Sequence, residues 1–337
     1  MLPLAYPFPV TPAELSWTVL STVRRAVAAD ELRVAVPEKI VVQRPPRPGC
    51  GDYATNVALQ LAGQAGRSAY EVAGILAARL AREPGIAQVE VAGAGFLNIT
   101  LSARAYADVV RQVREQGADY GRGEGLAGEG VTVVPEPPGA VRATMVADVV
   151  NGLLRAAGAG PGSRREGLTV AEGDGDPGRL GRDAARWSLL RPPAEDPPRP
   201  GPALLAQREA NPLFRVRYAH SRTRALLRNA HDLGVRVEAA ARDPYRHPAE
   251  TELLGLIADF PRVVETAARR RAPDRLARHL ERLADAYLRF QDECPVLPKG
   301  DEKPSAVHAA RVRLADATGI VLADGLHLLG ISAPDHL

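Results

Sequence analysis

"VTVVPEPPGAVRATMVADVVNGLLRAAG", from Val131 to Gly158, holds a short apolar run, a Pro/Gly turn and a longer segment with apolar residues at helical spacing. The run predicts a buried strand, the turn a tight reversal, and the last segment an amphipathic helix. Strand, loop and helix in that order form the usual cradle for a nucleotide phosphate. The helix N-terminus offers free backbone amides and the positive end of a dipole. Whether this cradle holds a nucleotide depends on the residue types around it.

The chain has 337 residues, enough for two or three domains. Hydrophobic residues are 45% and charged residues 25%, the balance of an ordinary soluble protein. Aromatics are only 4%, which implies an aliphatic core and argues against a broad base-stacking platform. Cys50 and Cys294 stand far apart and in no metal-ligand spacing, so the chain is not a disulfide scaffold and suits a reducing compartment. The stretch "MLPLAYPFPVTPAELSW" lacks the basic and apolar regions of a secretory signal, and no stretch approaches the length of a membrane span. The expectation is a cytoplasmic protein with no membrane partner and no metal.

The net charge of +3 says little by itself. Residues 1–130 and 131–202 are each neutral, so the whole excess lies in residues 203–337. Lysine occurs only at positions 39, 299 and 303, leaving 40 arginines. A GC-rich coding sequence accounts for that skew, yet an arginine fork also binds phosphate bidentately where lysine binds as a point charge.

Outward from the opening stretch, the N-terminal side reads as alternating helices and strands. Thr11, Pro12 and Glu14 make a capping box, and Ser68 with Glu71 another. "KIVVQRP" and "IAQVEVAGAGFLNITL" read as strands, the latter as two around Gly93 and Gly95. Asp52 stands open between a functional role and a mere helix cap. On the C-terminal side, "GAGPGSRREGLTVAEGDGDPGRLGR" and "RPPAEDPPRPGP" read as loop or linker, with a short helix "DAARWSLLR" between them. From Ala203 onward the pattern is helical almost throughout. The expected organisation is an α+β domain over 1–128, a residual Rossmann-like α/β segment with linker over 129–202, and an all-α bundle over 203–337.

"NPLFRVRYAHSRTRALLRNA" is the densest feature. Asn211 caps it, and Val216, Ala219, Thr223, Leu226 and Ala230 fall on one face. Arg215 and Arg222 form one stripe beside that face, and Arg217, Arg224 and Arg228 a second; Tyr218 shares a face with Arg222. Two readings stand: a phosphate-contacting surface, or a solvated face neutralised by neighbouring helices. Residues 262–282 add seven arginines against three acids. All seven histidines lie at or beyond residue 220, so no His-Glu-x-x-His site exists and no catalytic residue is assigned.

"GDYATNVALQLA", "VEVAGAGFLNITL" and "GADYG" resemble the N-terminal additional domain of arginyl-tRNA synthetases. "NPLFRVRYAHSR", "ELLGLIADFPRVVETAA", "LADAYLRFQDECPVL" and "ADGLHLLGISAPDHL" resemble the family's DALR-type anticodon-binding domain, and "GRDAARWSLLR" its linking segment. The middle departs from the family pattern. A synthetase of this class uses a His-x-Gly-His motif and a Lys-Met-Ser-Lys-type loop to stabilise ATP phosphates. This chain has no histidine before 220 and no lysine between 39 and 299. The resemblance therefore implies a transfer-RNA-binding paralogue without adenylation, its partner a transfer RNA such as an arginine acceptor, with no cofactor. The alternatives are an arginine–tRNA ligase with displaced catalytic groups, which would need ATP, and a partner of the full-length synthetase or another translation factor. Carried over residue by residue, RNA contact falls on Arg215, Arg217, Tyr218, Arg222, Arg224 and Arg228, on Phe96 and Asn98, and on the terminal Leu337. Arg215 and Arg217 stand where the family usually has Tyr and Gln. The opening stretch is expected to serve as a structural spacer.

Overall fold

The computed structural model describes residues 15–38, 40–43, 45, 50–160, 162–174, 176–235 and 245–337. The Thr11–Glu14 capping box lies outside them. The chain packs as two compact units, residues 1–109 and 110–337.

In the first unit, helices α1 (Leu15–Ala28), α2 (Val57–Ala65) and α3 (Ala69–Leu80) accompany an antiparallel sheet. Its strands are β1 (Val42–Gln43), β2 (Tyr53–Thr55), β3 (Ile86–Ala92) and β4 (Phe96–Leu101), in the order β1-β2-β4-β3. The capping box opens α3 as its sequence predicts: Ser68 Oγ accepts from the Glu71 amide and Glu71 accepts from the Ser68 amide. Strand alternation sorts β4 cleanly. Leu97, Ile99 and Leu101 point into the core, which leaves Phe96 and Asn98 on the opposite face. The turn before β4 requires glycine, because a Cβ on Gly95 (φ +133°) would lie 2.8 Å from the Ala69 carbonyl oxygen. Asp52 is not a helix cap. Helix α2 begins after Asn56, too far along, and the Asp52 carboxylate instead accepts the Leu101 amide at 2.7 Å, tying β2 to the end of β4.

Helix α4 (Ala103–Gln116) follows β4. In the second unit, β5 (Val131–Pro135), α5 (Val141–Ala156) and β6 (Arg164–Leu168) form a β-α-β unit with β5 and β6 parallel. Next come α6 (Gly181–Leu190), α7 (Pro212–Asp232), α8 (Pro248–Arg269), α9 (Asp274–Glu293) and α10 (Ala306–Leu328). Helices α7 to α10 pack on one another around buried Leu253, Ile257, Phe260, Leu280, Leu283 and Leu322. Helix α5 packs on both β5 and α8, and α6 on α5 and α9. The fold is mixed α+β, with a C-terminal all-α bundle and a residual Rossmann-like segment docked on it.

Strand β6 corrects the loop reading of residues 158–182. It exposes Arg164 and Arg165 and buries only Leu168, so no apolar period marks it. The backbone ladder to β5 holds it, helped by Thr132 Oγ1 donating to the Gly162 carbonyl at 3.3 Å. A two-stranded parallel sheet is marginal alone, and α5 completes it. The Glu136 amide donates to the Leu168 carbonyl, so even-numbered residues of β5 face β6 and Val133 faces the open edge. There the Asn151 side chain of α5 accepts the Val133 amide at 2.9 Å and donates to its carbonyl at 2.8 Å. One side-chain amide thus stands in for a neighbouring strand and closes the edge.

Arg142, in the first turn of α5, is the most buried arginine among the described residues, at 1% exposure. Its guanidinium donates to five backbone carbonyls: Leu189 (3.0 Å), Asp196 (2.6 Å), Pro192 (2.9 Å), Pro193 (2.8 Å) and Ala171. Burial pulls its pKa below the ordinary arginine value, and nearby Glu172 opposes that pull. Replacing Arg142→Met should cost about 3–5 kcal/mol, because five carbonyls lose their donor together. Asn151→Ala should cost about 1–3 kcal/mol. Urea denaturation of both variants measures this; a loss under about 1 kcal/mol for Arg142→Met would show that water satisfies the carbonyls equally well.

Candidate nucleic-acid interface

Helix α7 starts where its sequence says. Asn211 Oδ1 accepts the Leu213 and Phe214 amides at 3.1 and 3.3 Å, and its Nδ2 donates to the Leu204 and Ala206 carbonyls. Val216, Ala219, Thr223, Leu226 and Ala230 are all buried, so the two arginine stripes flank the core face as predicted.

Most of those arginines have partners. Arg215 pairs with Asp285 of α9 at 3.3 Å, and Arg217 with Asp183 of α6 at 3.7 Å. Arg224 pairs with Asp335 at 3.4 Å, and Arg228 donates to His336 Nδ1 at 3.4 Å. The segment after α10 lies along α7. Ser332 Oγ donates to Asp183, and His220 Nδ1 donates to the Pro334 carbonyl at 3.0 Å. Neither Arg222 nor Arg228 makes an ion pair with a described residue, and both are exposed; Arg228 is held by the His336 ring, which leaves Arg222 the freer of the two. One turn before it, Tyr218 is 36% exposed and its ring stacks on Phe214, centroids 5.5 Å apart. The open part of the face is therefore the Tyr218–Arg222 pair, an aromatic ring beside a free guanidinium. Leu337 is half exposed and lines a cavity of about 180 Å³ with Leu213, Phe214 and Arg217. The acids that neutralise the other arginines carry no local sequence signal, since each comes from a distant element.

In the first unit, Phe96 and Asn98 share a cleft of about 460 Å³. Phe96 is 45% exposed and Asn98 only 9%. Gln43, Asn56 and Gln60 add side-chain amides to a lining that is otherwise largely apolar. An exposed ring beside several amide donors and acceptors suits stacking and edge recognition of an unpaired base. Gln43 and Gln60 escaped the sequence reading because they lie on other elements.

The cradle at the start of α5 is occupied by the protein itself. Glu172 accepts the Ala143 amide at 3.1 Å and the Arg142 amide at 3.3 Å. Ala140 precedes the helix and supplies no side-chain cap, so Glu172 takes that place. A carboxylate on these amides uses the positive helix end that would otherwise receive a phosphate. Among the described residues no group of three or more His, Cys, Asp or Glu is placed to hold a metal ion, and no helix is long and apolar enough to cross a membrane.

Residues 19–101 match the family described as arginyl tRNA synthetase N terminal domain, and residues 216–337 the DALR anticodon binding domain. An arginine–tRNA ligase of Pseudarthrobacter chlorophenolicus is 27% identical over an alignment of 555 positions that covers 97% of this chain and all of the relative. With 337 residues, the chain leaves more than 200 of those positions unfilled. An arginine–tRNA ligase of Clavibacter sepedonicus is 40% identical over 225 residues, covering 66% of this chain and 40% of the relative. Two solved structures share the fold: the Thermus thermophilus arginyl-tRNA synthetase (TM-score 0.60, 15% identity, covering 97% of this chain and 100% of that one) and the Plasmodium falciparum enzyme (TM-score 0.69, 10% identity, covering 96% and 99%).

His220 links α7 to the C-terminal segment and is buried. Burial is the main cause that lowers its pKa from the ordinary histidine value near 6.5; the Pro334 carbonyl and Asp335 act the other way. A base with a depressed folded-state pKa costs stability once the unfolded state binds protons and the folded state does not. Its contribution is intact above about pH 6.5 and is lost as the pH falls below that value. His220→Asn should therefore lose less stability than the parent between pH 7.5 and 5.5, as read by thermal melts. Equal losses would place the acid sensitivity elsewhere.

Proposed function

We propose that this chain, which belongs to the arginyl-tRNA synthetase family, binds transfer RNA and does not form aminoacyl-adenylate. The observation that carries the reading is Glu172 on the α5 amides. In a nucleotide-binding β-α-β unit those amides receive phosphate; here a carboxylate of the same chain occupies them, and a phosphate would have to expel it against like charge. The residue types agree. No histidine precedes residue 220 and no lysine lies between 39 and 299, so neither signature loop of the family has its usual cations. The Asn151 closure of β5 fits a sheet that ends at two strands, and the unfilled alignment positions fit the loss of most of a catalytic domain.

What remains are two RNA-facing features. The Tyr218–Arg222 pair offers a ring for a base and a fork for a phosphate. The Phe96 cleft offers a ring and amides for an unpaired base. The expected partner is a transfer RNA, with arginine acceptors the first to try, and the expected compartment is the cytoplasm. No cofactor is expected.

Two measurements test this. Arginine-dependent exchange of pyrophosphate into ATP should be absent at high protein concentration, and any exchange would restore the ligase reading. Binding to an arginine-accepting transfer RNA should be tighter than to random RNA of equal length and should weaken with salt. Arg222→Ala should reduce the salt slope by about 1, and Tyr218→Ala should cost about 1–3 kcal/mol without changing it. No preference over random RNA would sink the proposal.

A further inference from the structure

On the second unit, α8, α9 and Arg191, just past the end of α6, line a cavity of about 480 Å³. Its charged lining is Arg191, Arg262, Arg275, Arg278, Arg282 and a single acid, Glu281. The local acids are already committed. Glu281 pairs with Arg191 at 3.0 Å, Asp259 with Arg262 at 3.3 Å, and Asp274 with Arg278 at 3.3 Å. Arg275 and Arg282 are exposed and make no ion pair with any described residue. Two unpaired guanidiniums therefore border a concavity whose other cations are held in place by acids.

The placement on α9 is regular. Residues 275, 278 and 282 follow one another by three and four and so lie on one face of the helix. At 1.5 Å per residue, Arg275 and Arg282 stand about 10 Å apart along the axis. Arginines at this spacing on one face repel one another and lower helix stability, and Asp274 offsets only Arg278 through an ion pair. A ligand with several negative charges over a similar length relieves that repulsion. Arginine forks bind phosphate oxygens bidentately, and Thr266 adds a hydroxyl to the lining.

We propose that this cavity is a phosphate-binding site that takes a run of two or three phosphates. Either consecutive RNA backbone phosphates or the chain of a free oligophosphate supplies that chemistry. The site is separate from the Tyr218–Arg222 pair, and the proposal stands whether or not the chain binds transfer RNA.

The test is calorimetric titration of the whole protein with inorganic tripolyphosphate. Saturable binding is expected, weakened at least tenfold in the Arg275→Ser/Arg282→Ser double variant and unchanged in Arg222→Ser. Thermal melting checks that the double variant folds. If it does not, Arg275→Lys/Arg282→Lys replaces it; this keeps the charge, loses the fork and should still weaken binding. Absence of saturable binding to the parent protein, or equal binding by parent and both double variants, overturns the proposal. A second titration with transfer RNA present separates the sources. Loss of tripolyphosphate binding assigns the site to RNA phosphates, and undiminished binding assigns it to a free oligophosphate. A protein that binds tripolyphosphate but no transfer RNA would refute the RNA reading above and leave this site standing.

Discussion

The guanidinium of Arg142 organises the middle of the chain. Residues 171–196 bury Leu180, Trp187, Leu189 and Leu190, but on either side of α6 they are rich in proline, glycine and charge. Their backbone carbonyls still need donors when they pack against α5. Arg142 supplies five hydrogen bonds from one planar group, to Ala171, Leu189, Pro192, Pro193 and Asp196. Two of those carbonyls belong to prolines, and prolines bring no amide of their own to help build a ladder. A buried charge with so many partners is costly to assemble and more costly to break. It gathers the segment around the first turn of α5, and that brings Glu172 onto the helix amides.

From that position the rest of the β-α-β unit follows. With Glu172 at its N-terminus, α5 needs no external anion. With Asn151 on Val133, β5 needs no further strand on its open side. Both ends of a unit that usually binds a nucleotide and continues into a larger sheet are satisfied from within. Its remaining surface is the face of α5 that packs on α8, and through it the unit joins the helical bundle. The strand-turn-helix order at Val131–Gly158 is therefore retained as architecture while its polar groups are spent on the fold.

The same economy governs α7. Five arginines lie on α7, at 215, 217, 222, 224 and 228, and a helix bearing them without compensation would be unstable. Asp285, Asp183 and Asp335 come from α9, α6 and the C-terminal segment to offset Arg215, Arg217 and Arg224. These pairs are partly exposed and individually weak. Their effect is selective: they quiet the flanks and leave Arg222 and Arg228 without an acid partner among the described residues. Arg275 and Arg282 on α9 meet the same criterion, being cations whose nearby acids are already engaged.

Local features are legible in the sequence. Ser68 and Glu71 announce α3, Asn211 and Pro212 announce α7, and the buried face of α7 follows from its spacing. Strand β6 was not legible, because a solvated strand held by backbone bonds leaves no apolar period. The role of Asp52 was not legible, because capping is a short-range signal and its acceptor role spans 49 residues. The site divides the same way. Which residues are cationic can be read from the chain, but which cations are free depends on acids from other elements, as with Asp285 for Arg215, Asp183 for Arg217 and Asp335 for Arg224. Charge count along a helix therefore overstates a nucleic-acid surface wherever the tertiary fold returns acids to it. The guanidiniums left over after that return are the ones with free energy to give a ligand, since each carries no internal bond that must first be broken.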